Sequence, residues 1–141
     1  MNGQQYAGDL SPLEAWELLK GEAGALLLDV RTEAEWRYVG LPDLSGLGKE
    51  VQCISWQVFP DMRLNEDFVA MVRESGPGPD QPLLMICRSG QRSRDAAIAL
   101  TTAGYSRCYN VAEGFEGPLD GDRHRGGASG WKARGLPWFQ G

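Results

Sequence analysis

Leu83-Leu84-Met85-Ile86-Cys87-Arg88-Ser89-Gly90-Gln91-Arg92-Ser93 is the stretch on which the reading of the fold turns. Its first five residues form a short, unbroken apolar run behind the breaker Gly76-Pro77-Gly78-Pro79-Asp80, the pattern of a strand buried on both faces. A brief polar loop follows, and Ser93–Ala103 reads as a helix ending at Gly104. Strand, Cys, Gly-bearing loop and helix therefore stand in direct succession.

Outward from that stretch the same alternation recurs. Ala25–Val30 is a second short apolar run with polar Asp29 near its end, and it also reads as a buried strand. Before it, Ser11-Pro12-Leu13-Glu14 combines a capping hydroxyl, a proline at the first helical position and a glutamate able to close a capping box. Leu13, Trp16, Leu18 and Leu19 make that helix's apolar stripe. Thr32-Glu33-Ala34-Glu35-Trp36 is a second capped turn, Leu41–Lys49 a loop, and Val51–Trp56 a strand by its β-branched and aromatic content. Asn65-Glu66-Asp67 opens another helix with Phe68, Met71 and Val72 on its core face. Arg107–Val111 is the last strand, and Trp131–Arg134 adds a helical turn stopped by Gly135 and Pro137. Strands alternating with helices require crossover connections, which predicts an α/β fold on a parallel sheet.

Composition sets the bounds. The 141 residues fit a single domain, and 42% hydrophobic with 23% charged is ordinary for a globular protein. The net charge of −5 argues against nucleic acid and against anionic membranes as partners. No apolar stretch is long enough to span a bilayer, and Met1–Gln5 lacks the basic and apolar parts of a signal peptide. Cys53, Cys87 and Cys108 form no C-x-x-C, which removes paired zinc knuckles and thioredoxin chemistry. The expectation is a cytoplasmic protein with free thiols.

Of these thiols, Cys87 stands apart. Ligands of open parallel sheets bind beyond the carboxyl ends of the strands, where Cys87 lies. A tight loop opening a helix turns backbone N–H groups inward, and Arg88, Arg92 and Arg94 add positive charge. Such an anion cradle favours the thiolate, which is the nucleophilic form. Gly90 supplies a backbone angle other residues resist. Cys53 and Cys108, in strand-like stretches without a basic loop, read as buried and inert.

Cys87-Arg88-Ser89-Gly90-Gln91-Arg92-Ser93 closely resembles the active-site loop of rhodanese-like sulfurtransferases. Leu28-Asp29-Val30-Arg31 with Glu35-Trp36 and Gly40 resembles that family's other sequence mark. Asn110-Val111-Ala112-Glu113-Gly114-Phe115, and Trp131 through Gly135-Leu136-Pro137-Trp138, resemble its usual ending, so the likeness runs from about Ser11 to about Trp138 of a chain expected to be one domain. The resemblance implies a central parallel sheet of about five strands with helices on both faces. It also implies that Cys87 takes a sulfane sulfur from thiosulfate or another persulfide donor. The resulting persulfide then passes its sulfur to a thiol, cyanide or a protein acceptor, a covalent two-step scheme. Arg88, Ser89, Gly90, Gln91, Arg92 and Ser93 would bind the anionic sulfur through their amides and charges. Asp29, Arg31 and Glu35 would support the site, Asp29 by accepting hydrogen bonds near the loop and Arg31 by pairing with Glu35. No metal or organic cofactor is implied.

Two departures from the family pattern stand out. Gly40-Leu41-Pro42-Asp43 replaces the usual Gly-His-Ile, which bears on local packing. Leu119–Gly130, with His124 between Arg123 and Arg125, is a longer Gly-rich excursion that reads as a solvated loop, with acceptor selection as its functional alternative. The rival chemistry is a Cys-based phosphatase or arsenate reductase, whose loop separates Cys from Arg by five residues; here Ser93 holds that position and Arg92 comes one early. His124, the only histidine, gives a cysteine protease little support. A sulfur-relay or non-catalytic interaction module on the same fold is the remaining alternative, and the retained Cys87 argues for the enzyme.

Overall fold

The computed structural model describes residues 5–58, 61–117 and 129–140. In chain order the elements are β1 (Gly8–Leu10), α1 (Pro12–Gly21), β2 (Leu26–Asp29), α2 (Glu33–Tyr38), β3 (Leu41–Pro42), β4 (Gln52–Cys53), β5 (Gln57–Val58), β6 (Arg63–Leu64), α3 (Phe68–Glu74), β7 (Leu83–Ile86), α4 (Gln91–Thr102), β8 (Cys108–Val111) and β9 (Trp138–Phe139). Five of the strands form one sheet in the order β1-β8-β7-β2-β4, with every pairing parallel. The fold is therefore the α/β architecture expected from the sequence.

Local chemistry accounts for the first two helices. Ser11 Oγ accepts from Glu14 N at 3.1 Å while Glu14 Oε1 accepts from Ser11 N at 2.8 Å, closing the expected box around Pro12. Thr32 and Glu35 repeat the arrangement at α2. β7 is buried along its whole length at the centre of the sheet. Each of its side chains withdrawn from water contributes roughly 1.5–3 kcal/mol.

Alternation along the strands builds two cores. Leu28, Val30, Leu83, Met85, Cys87 and Cys108 face α3 and α4, packing on Phe68, Val72, Ala96, Ala97 and Leu100. Leu27, Leu84, Ile86 and Val111 face the other side, against Ala15 and Leu19 of α1 and against Phe115, Trp131 and Leu136.

The structure also corrects several expectations. β1 lies in a stretch the sequence left unassigned and covers an edge by pairing Gly8–Leu10 with Tyr109–Val111. The strand expected over Val51–Trp56 is a two-residue ladder, because β4 meets β2 only at Gln52 and Cys53. Beyond it Ile54 N and Trp56 N still donate to Asp29 O and Val30 O. Leu41–Lys49 is not wholly loop: β3 pairs antiparallel with β9, Leu41 with Phe139 and Pro42 with Trp138. Leu13 and Met71, expected to face the core, are 53% and 42% exposed. α4 starts earlier than Ser93 because Gly90 takes the left-handed φ of 106° as its cap. Residues 118–128, which carry His124 and most of the Leu119–Gly130 excursion, lie outside the described residues.

Candidate active site

Cys87 leaves the carboxyl end of β7 as a buried residue at the floor of a cleft of about 520 Å3. Its Sγ accepts from Gly90 N at 3.1 Å and from Ser93 N at 3.3 Å, and lies 3.1 Å from Ser93 Oγ. The remaining first-turn amides of α4, those of Gln91 and Arg92, lack intrahelical acceptors by position, and both residues line the same cleft. Of the loop amides expected to hold sulfur, two reach Sγ itself.

The loop is fixed from behind. Phe115 N donates to Cys87 O at 2.8 Å, and Glu116 N and Gly117 N donate to Arg88 O at 3.0 and 3.1 Å. The Phe115–Gly117 segment thus forms the underside of the Cys87 turn. Gly90 is confined there as well, since a methyl group on it would overlap the Ala112 carbonyl.

The arginines have different fates. Arg92 makes a two-pronged bridge to Glu35, Nη1–Oε1 at 2.6 Å and Nη2–Oε2 at 2.9 Å. Burial pushes the Glu35 carboxyl up, but the Arg92 hydrogen bonds and charge, with the Thr32 amide, outweigh it and hold the group below its usual range. Arg92 is therefore committed to a protein carboxylate rather than left open to a donor. Arg88 lines the cleft, is exposed, and has no side-chain partner among the described residues. Arg94 is exposed on α4. Gln57 and Met62 of the β5–β6 hairpin, Val39 and Glu116 complete the rim. None of these four was singled out in the sequence, because only the chain's return path brings them to Cys87.

Asp29 and Arg31 do not act as expected. Arg31 turns inward instead of pairing with Glu35. Its Nε and Nη2 bind Asp29 at 2.9 and 2.6 Å, Nη2 also reaches Gly40 O at 2.6 Å, and the guanidinium stacks 4.4 Å from the Phe115 ring centroid. Asp29 accepts from Arg31 N too, so its oxygens serve Arg31 rather than the Cys87 loop. The reason is geometric: Arg31 precedes α2, so helical i, i+4 spacing does not apply to it. Both side chains are buried, on the sheet face opposite Cys87, and the pair clamps the end of β2 to the Gly40 turn.

The other thiols differ from Cys87. Cys108 is buried, and desolvation pushes its thiol up to about 11. Cys53 is exposed, contrary to expectation, yet desolvation of its thiol and the nearby Asp29 carboxylate push it up to about 12. Neither holds a cradle of amides.

A strand-end cysteine capped by a glycine-led helix, on a five-stranded parallel sheet, is the arrangement of the rhodanese-like domain, whose family model matches residues 11–117. The chain belongs to that family. It is similar to the crystal structure of Rv0390 from M. tuberculosis, with a TM-score of 0.90 and 51% identity, covering 96% of this chain and 99% of that one. It is also similar to the polysulfide-sulfur transferase homodimer of Wolinella succinogenes, at a TM-score of 0.65 and 26% identity over 94% of this chain and 78% of the other. The thiosulfate sulfurtransferase GlpE of Actinobacillus pleuropneumoniae serotype 3 is 30% identical, covering 92% of this chain and 90% of its own.

Proposed function

We propose that this protein is a single-domain sulfurtransferase in which Cys87 takes a sulfane sulfur from thiosulfate or a persulfide donor and delivers it to a thiophilic acceptor. The observation that carries this reading is Cys87 Sγ at the floor of an open cleft, already accepting two backbone N–H bonds at 3.1 and 3.3 Å. Attack by the thiolate on the outer sulfur of thiosulfate breaks the S–S bond, releases sulfite and leaves Cys87 as a persulfide. An acceptor thiolate or cyanide then attacks the terminal sulfur and returns the Cys87 thiolate. The helix-start amides are aimed where that anionic sulfur would lie. Arg88, a rim cation with no side-chain partner among the described residues, is the residue suited to draw in an anionic donor.

The commitment of Arg92 to Glu35 weighs against a phosphatase reading, which needs a free two-pronged guanidinium for a tetrahedral oxyanion. Three unpaired cysteines suit a reducing compartment, in keeping with a cytoplasmic site of action. No helix among the described residues is long and apolar enough to cross a membrane.

The test is direct. Incubated with thiosulfate, the protein should gain one sulfur by intact mass, lose it to cyanide, and gain none as Cys87→Ser. No sulfur gain from thiosulfate, polysulfide or an organic persulfide would sink the reading. Turnover of an aryl phosphate or of arsenate would replace it with the rival.

A further inference from the structure

The parallel register sets Asp9 of β1 beside Asn110 of β8, and Asn110 beside Met85 of β7. Side-chain alternation puts Asp9, Asn110 and Cys87 on the same sheet face, under α4. Ser93 descends from α4 onto that row as a fully buried hydroxyl. Four hydrogen bonds join them from the surface inward. Tyr6 Oη donates to Asp9 Oδ1 at 2.7 Å, Asn110 Nδ2 donates to the same oxygen at 3.0 Å, Ser93 Oγ donates to Asn110 Oδ1 at 2.6 Å, and Cys87 Sγ lies 3.1 Å from Ser93 Oγ.

We propose that Asp9 and Asn110 are positioning residues for Cys87: acting through Ser93, they fix the hydrogen-bond direction so that the Ser93 hydroxyl receives the thiol proton instead of giving its own to sulfur. Donor and acceptor bookkeeping forces this. A carboxylate only accepts, so Asp9 holds the Asn110 amide with Nδ2 outward and Oδ1 inward. Ser93 has one proton, and Asn110 Oδ1 takes it. What remains on Ser93 Oγ is lone pairs, which match an S–H and not a bare S⁻. For Ser93 to turn its proton to sulfur, a nearly fully buried amide oxygen must be left without a donor. Reversing the amide instead would bring Asn110 Oδ1 against Asp9 Oδ1 across the 3.0 Å now spanned by Nδ2.

Two influences therefore oppose each other at one sulfur. The Gly90 and Ser93 amides favour the thiolate, and the side-chain chain favours the thiol. Other charges lie around this region: Arg88 and Arg92 of the loop and α4, Glu35 of α2, Glu116 after β8, Arg94 near Tyr6 and, behind the sheet, the Asp29–Arg31 pair at the end of β2. None of them hydrogen-bonds to Ser93 or Asn110, so the direction of the chain is set at Asp9. Only the unloaded enzyme carries a proton on Sγ, so the bond to Ser93 exists only there, and the chain biases the cycle toward discharging its sulfur. This inference rests on Cys87 being the reacting thiol.

The test follows Cys87 alkylation by iodoacetamide, read by peptide mass, from about pH 5 to about pH 9. It needs no sulfur donor, so it can fail while sulfur transfer stands, and the reverse. Asp9→Asn can donate as well as accept, and Asp9→Ala leaves Asn110 free to turn. Both should speed alkylation about tenfold on the acid side and move the profile down by about one pH unit. In a Ser93→Ala background, Asp9→Asn should move nothing. No shift in either Asp9 variant overturns the proposal, and so does an equal shift without Ser93, which would mean that Asp9 acts through its charge alone.

Discussion

Glu35 has two duties, accepting from Thr32 N to cap α2 and bridging to Arg92 across the cleft. Its carboxyl sits below the usual range, so the stability it contributes is fully present above the ordinary carboxylate value and is lost as pH falls through the lower folded value. Glu35→Gln should then cost about 1–3 kcal/mol near neutral pH, measured by urea unfolding, with the gap to wild type closing in acid. A gap that persists unchanged at low pH would remove the linkage. Arg88 and Arg92 should part company in the same experiments. Arg88→Gln is expected to raise KM for thiosulfate several-fold with kcat nearly kept and the defect masked by salt, whereas Arg92→Gln should lower stability. Sequence alone grouped the two arginines because both flank Cys87. What separates them is a carboxylate fifty-seven residues away, which no local pattern announces.

At the level of elements, the parts legible in the sequence are those whose causes are local. The capping boxes of α1 and α2 need only four adjacent residues each, and β7 needs only an apolar run. Thr32→Ala should cost about 1 kcal/mol in urea unfolding, as for other lost caps. Gly90→Ala is expected to be worse by both stability and sulfur transfer, because the new methyl meets the Ala112 carbonyl at a positive φ. A Gly90→Ala protein with wild-type unfolding and turnover would refute that account. β1 and the β3–β9 pair escape the sequence for the opposite reason. Gly8-Asp9-Leu10 has no β-branched residue, and Leu41-Pro42 and Trp138-Phe139 are two residues each, so only partners about a hundred positions away define them. Asp9 and the role of Asn110 were hidden with β1.

Across the whole molecule, the buried Asp29–Arg31 pair joins β2, the Gly40 turn and the Phe115 ring at one point. Arg31→Met should leave the Asp29 carboxylate buried and unpaired, costing about 3–5 kcal/mol and lowering the melting temperature well beyond the effect of a cap variant. Thermal unfolding of the two variants side by side tests the ranking. The segment beneath Cys87 has a consequence in time as well as in energy. Because the Phe115 and Glu116 amides close on the carbonyls of Cys87 and Arg88, they open only when the central strand does. Their deuterium uptake should match the slowest amides of β7, so heat should erase the Cys87 loop and the fold in one step, with no interval in which a folded protein has lost its cleft.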